Sequence, residues 1–183
     1  MVRFLSKAAL KLFGWKVEGD FPEGKKFVII AAPHTSGWDF VLGRLYYNTI
    51  SKSVKFIINE KFFFFPLGIW LKSLGAIPVK AGRRVGLVKM MVDEFHKRDE
   101  FLLTITPEGT RKRVRKWMRG FYFIAKDAQV PVVLGFIDYE KKTLGTKTTI
   151  HLTGDEKADF ETIRQVYLEV SAAHPEKFNK ESF

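Results

Sequence analysis

The chain has 183 residues, enough for one domain with a substantial core, and is 46% hydrophobic and 28% charged. It contains no cysteine, which excludes disulfides and thiolate metal sites, and its histidines at 34, 96, 151 and 174 show no metal-ligand spacing. A net charge of +11 points to acidic partners: anionic lipid surfaces, phosphorylated substrates, acidic carrier proteins or nucleic acid.

Residues 1–14 predict a short amphipathic helix. Arg3, Lys7 and Lys11 recur every four residues on one face, and Phe4, Leu5, Ala8, Ala9 and Leu12 form the other, with Leu10 intruding on the basic side. At ~1.5 Å per residue it is too short for a bilayer core of about 30 Å. It also lacks the apolar core and cleavage site of a secretory signal. It reads either as a helix packed on the domain or as an interfacial anchor on anionic lipid, and the two are compatible.

Phe27–Ile30 is β-branched and apolar, as a buried strand is, and Trp38 to Ser51 follows as a helix. Val54–Ile58 predicts a second strand. Phe62 to Leu71 is the most apolar stretch, but Pro66, Gly68 and Lys72 argue against a membrane span, and core packing is the main role expected for its aromatics. Ala76–Lys80 predicts a third strand, and Leu87, Val88, Met91, Val92 and Phe95 a helix with an exposed Lys89–Asp93 pair. A strand from Phe101 stops at Pro107. A helix from about Trp117 to Ala128, a buried strand Val130–Ile137, an edge strand Thr148–Leu152 and a helix through Phe160 and Val170 complete the chain. Such alternation predicts a single α/β domain over residues 1–183, its sheet mixed but mostly parallel and flanked by helices.

Two turns at strand ends carry the chemistry. In Pro33-His34-Thr35-Ser36-Gly37-Trp38-Asp39, His34 and Asp39 would be about 140° apart on a continuous helix. A turn broken by Gly37 instead lets the carboxylate fold back onto the imidazole, hold it and stabilise its protonated form. Taken alone, the pair fits a loop histidine and a helix cap better than a catalytic dyad, with Thr35 and Ser36 as rival caps. The second turn, Pro107-Glu108-Gly109-Thr110-Arg111, leaves Glu108, Thr110 and Arg111 at a strand's carboxyl end, where open α/β sheets bind ligands. Arg111, Lys112, Arg113, Arg115, Lys116 and Arg119 crowd after it, a solvated loop or an anion-binding patch.

In this order the blocks resemble those of the glycerolipid acyltransferases, typified by 1-acylglycerol-3-phosphate acyltransferases. Their first block is His, four residues, Asp, here His34 to Asp39, and another is Pro-Glu-Gly-Thr-Arg, matched by Pro107 to Arg111. Gly75-Ala76-Ile77-Pro78-Val79 fits the family's Gly-x-(Ile/Val)-x-(Ile/Val), but its following Arg position holds Ala81, with Lys80, Arg83 and Arg84 nearby. Val130-Pro131-Val132-Val133-Leu134 resembles the last block, with Gly135 where a second Pro is common. The resemblance runs from about residue 27 to 137.

The resemblance implies the acyltransferase α/β fold and transfer of a fatty acyl group from acyl-CoA or an acyl carrier protein to a lysophospholipid, most often 1-acylglycerol-3-phosphate, in phospholipid biosynthesis. His34 would be the general base and Asp39 its orienting partner. Glu108, Gly109, Thr110 and Arg111 would shape the acceptor site, with Lys80, Arg83 or Arg84 as a second anion contact. No metal or prosthetic group is implied. The enzyme would sit peripherally on the cytoplasmic face of the membrane, and some of the Phe62–Leu71 aromatics would line an acyl slot or dip into lipid. The displaced Arg leaves room for another lysolipid or an amino-lipid acceptor. The competing classes are a non-enzymatic lipid-surface protein and a basic nucleic-acid-binding protein. No nucleic-acid motif appears, and most aromatics are Phe in apolar runs.

Overall fold

Most strands are apolar runs that end at turn residues, and among the described residues seven strands hydrogen-bond into one sheet. The computed structural model describes residues 1–80 and 84–183, the side chains of Arg84 and Val85 excepted. In chain order the elements are α1 (Val2–Leu12), β1 (Lys16–Glu18), β2 (Lys26–Ala31), α2 (Trp38–Thr49), β3 (Val54–Asn59), α3 (Leu67–Ser73) and β4 (Ala76–Val79). Then follow α4 (Arg84–Lys97), β5 (Phe101–Ile105), α5 (Gly120–Asp127), β6 (Val132–Asp138), β7 (Thr143–Ile150) and α6 (Glu156–Leu168). The sheet order is β1-β7-β6-β2-β5-β3-β4. All neighbours run parallel except β6 and β7, so the sheet is mixed and mostly parallel.

The middle strand shows why the apolar runs are continuous. Val28 and Ile30 of β2 enter a core with Met91, Phe95, Phe121, Ile124 and Ile163 from the helices on one face. Phe27 and Ile29 alternate to the other face, against Val54, Leu102 and Val133. A strand covered on both faces has no polar side to show in its sequence. β2 lies between β5 and β6, with Ile30 opposite Ile105 and Leu134, so the carboxyl ends of the three strands meet at one end of the sheet.

The packed-helix reading of the N-terminus holds, and three other expectations need correction. α1 packs on α2 through buried Ser6 and Leu10, the residue that broke the basic face. Its apolar majority face stays exposed, with Phe4 at 75% and Leu12 at 82%. The aromatic stretch is not core: Phe62, Phe64, Phe65, Ile69 and Trp70 are all exposed, and α3 buries only Gly68 and Leu71. β7 begins earlier than expected, at Thr143, and the short, exposed β1 pairs outside Thr143–Gly145, leaving Thr148–Ile150 paired to β6 alone. The fifth helix starts at Gly120, whereas Trp117 is buried before it, packed on Tyr167 and Phe183. The Lys89–Asp93 pair forms at 3.6 Å in solvent, where such pairs contribute little.

Candidate active site

Beyond β2 the chain runs through Ala32 and Pro33 to His34, turns at Thr35–Gly37, and enters α2 at Trp38. Asp39 therefore sits in the first helical turn, and its carboxylate folds back over the preceding turn. Its Oδ2 lies 3.0 Å from His34 Nδ1 and accepts the backbone N–H groups of Thr35 and Ser36, both at 2.9 Å. Tyr139 donates its hydroxyl to Oδ1 at 2.6 Å. The helix-cap reading of Asp39 fails, since the cap position is Gly37 and no side chain caps there. Gly37 also needs no special backbone freedom, because its φ of −68° is ordinary. What it supplies is room: Arg111 Nη1 lies 3.1 Å from where a Cβ at 37 would be.

These bonds determine the electrostatics. Burial acts to raise the Asp39 carboxyl, but hydrogen bonds from His34, Tyr139 and Ser36 outweigh it and hold the group below its usual value. Asp39 is thus an anion at neutral pH, and an ionised carboxylate only accepts, which assigns the Nδ1 proton to His34. In the neutral ring the lone pair then sits on Nε2, which makes no hydrogen bond among the described residues. The His34 side chain is 21% exposed, so a ligand can reach it.

The second turn leaves the neighbouring strand beside the first. Three residues past β5, Glu108 is buried and its Oε1 accepts the His34 backbone N–H at 3.0 Å, tying the two blocks together. Its Oε2 is buried without a partner among the described residues, and burial, exceeding the effect of that bond, pushes the carboxyl up to about 7. Gly109 is required by its φ of +63°, and Met118 Cε, the far end of a flexible side chain, would also have to shift for a Cβ. Thr110 Oγ1 accepts the Lys112 N–H at 3.3 Å. Arg111 is exposed, its guanidinium over the His34–Asp39 turn.

The structure brings together His34, Asp39, Glu108, Gly109, Thr110 and Arg111. Lys80 is exposed just past β4, three strands across from β2, a lateral offset of about 14 Å. Arg83 and the Arg84 side chain lie outside the described residues. Of the six cations following Glu108, all exposed, Arg119 alone is ion-paired among the described residues, to Glu156. No group of three or more His, Asp or Glu among the described residues is placed to hold a metal ion. Tyr139 was missed. The signal available was a tyrosine just beyond the carboxyl end of a strand predicted to lie in the same sheet.

The family model described as Acyltransferase matches residues 15–134, which span both turns. Among solved structures the chain is similar to the 1-acyl-sn-glycerophosphate (LPA) acyltransferase PlsC from Thermotoga maritima. The two share 17% identity with a TM-score of 0.65, covering 90% of this chain and 74% of that one, a likeness of fold. No curated protein matches the chain.

Proposed function

Because the chain belongs to the acyltransferase family, we propose that it transfers a fatty acyl group from a thioester to a lysophospholipid hydroxyl, in phospholipid biosynthesis. The donor is acyl-CoA or an acyl carrier protein, and the acceptor 1-acylglycerol-3-phosphate, the substrate class for which the similar structure is named. The observation that carries this reading is the 3.0 Å contact from Asp39 to His34 Nδ1, which turns Nε2 toward base chemistry in a ring that solvent reaches.

In this mechanism Nε2 takes the proton of the acceptor hydroxyl as its oxygen attacks the thioester carbonyl carbon. Asp39 offsets the charge that the imidazole gains, as in hydrolase triads but with no protein nucleophile. When the tetrahedral intermediate collapses, the C–S bond breaks, and the leaving thiolate takes the proton back from His34. An ester and a free thiol result. The test is direct: supply the purified chain with either thioester donor and a set of lysolipids, and look for the new ester. Its absence with every pair sinks the reading.

Arg111 is the acceptor's anion contact, supported by its place over the Gly37 turn. Arg111→Ala is expected to raise the acceptor's KM about tenfold or more, as loss of a charge-assisted bond does, and the donor's less than about twofold. Equal changes in both would remove Arg111 from the acceptor site. Lys80, Arg83 and Arg84 are retained from the sequence as secondary contacts, and a longer head group would be needed to reach Lys80 across the sheet.

Peripheral attachment to the cytoplasmic face of an anionic membrane goes with this chemistry. No helix among the described residues is long and apolar enough to cross one. Support comes from α1, which exposes Phe4, Leu5 and Leu12 and carries Arg3, Lys7 and Lys11 alongside them. Trp38 and Val41 on the adjoining α2, and the aromatics around α3, are exposed too. Phe4→Glu with Leu12→Glu is expected to weaken binding to anionic vesicles at least about tenfold, since each apolar side chain buried is worth roughly 1.5–3 kcal/mol. Undiminished vesicle binding would exclude α1 as the anchor.

A further inference from the structure

The Asp39 carboxylate is used unevenly. Oδ2 serves three donors, from His34, Thr35 and Ser36, whereas Oδ1 is served by Tyr139 alone among the described residues. Tyr139 is itself held from three sides. Its backbone N–H donates to Ser171 O at 2.9 Å, its ring meets Trp15 edge-on at 5.2 Å, and its hydroxyl reaches Asp39. We propose that Tyr139 is the positioning residue of the dyad, fixing the Asp39 carboxylate in the one rotation that presents Oδ2 to His34. This rests on the acyl-transfer reading for its kinetic consequence, and on geometry alone for its structural one.

The physical case runs through the torsion of the carboxylate. A carboxylate with one crowded and one vacant oxygen can twist about its last bond, because the well is broad and two-fold. A donor on the far oxygen closes that route. Ser36 and Thr35 hold Oδ2 from within the same turn and so move with it. Tyr139 is anchored 100 residues away, at the end of the strand paired with β2, and supplies the external reference. The direction of the bond is unambiguous. Burial, then the bond to Asp39 and its charge, raise the phenol far above its ordinary value, so it remains a donor.

Tyr139→Phe in the full chain tests this, keeping the ring against Trp15 and removing only the hydroxyl. The kcat for acyl transfer is expected to fall about tenfold, the scale of a lost hydrogen bond to a charged group, with the KM of donor and acceptor each within about twofold. The downfield proton resonance of His34 Nδ1–H, assigned against His34→Ala, is expected to move or broaden. A merely structural role would leave that resonance in place. Parental kcat, or an unmoved resonance, overturns the proposal. In the parental chain the Tyr139 hydroxyl proton should be visible and slow to exchange, and its absence overturns the proposal without any variant. If the parental chain transfers no acyl group, the acyl-transfer reading fails by itself, and the two resonances still decide the place of Tyr139.

Discussion

Replacing His34 by alanine is expected to lower kcat by about a thousandfold while leaving the fold intact. A positioned general base contributes about 10²–10⁴-fold, and no second imidazole shares the turn: His96 lies on α4, His151 just past β7, and His174 touches the turn only by its backbone N–H, 3.1 Å from Thr35 Oγ1. The network explains why the protein should survive the change. Asp39 Oδ2 keeps the N–H groups of Thr35 and Ser36, Oδ1 keeps Tyr139, and the bond to Glu108 Oε1 comes from the backbone of residue 34. The loss should therefore appear in kcat with little change in either KM. A folded His34→Ala protein that turns over at the parental rate ends the base assignment.

Asp39→Asn is expected to cost about as much, for a different reason. The amide retains one oxygen for the backbone N–H groups but gives up the charge that stabilises the imidazolium, and it can offer His34 a donor where an acceptor is needed. In the serine-protease triad the corresponding exchange costs about 10⁴-fold. The change also carries a pH signature. The folded Asp39 carboxyl lies below its ordinary value of 3.8, so its contribution to stability is fully present above that pH and lost as the pH falls through the folded value. The stability gap between the parental chain and Asp39→Asn should therefore be widest near neutral pH and close in acid. Denaturation curves across that range check it, and a gap independent of pH would mean that Asp39 gains nothing from being ionised in the fold.

What the sequence showed of this site was what lies close together in it. His34 and Asp39 are five residues apart, and a strand before and a helix after leave one place for the turn. Glu108 was legible from its Pro-Glu-Gly-Thr-Arg setting, although its bond to the His34 backbone depends on β2 and β5 being neighbours. Tyr139 was not legible, because its partner is 100 residues away and only strand order joins them. Periodicity found the α1 helix but left its covered face open, because it reports which face is apolar, and here Leu10 and Ser6 of the minority face are the buried residues. The same limit applies to Phe62–Trp70, where apolar content reads equally as interior or as exposed surface. β1 has three exposed residues, and the alternation of Trp15-Lys16-Val17-Glu18 is too short to announce a strand.

That small strand has a counterpart at the far margin of the sheet. One border is only Lys16–Glu18, and the other is β4, whose Pro78 offers no amide hydrogen to either side. Both borders are poor templates for backbone zippering. Copies of this chain that meet border to border would therefore find no long strand edge to extend among the described residues.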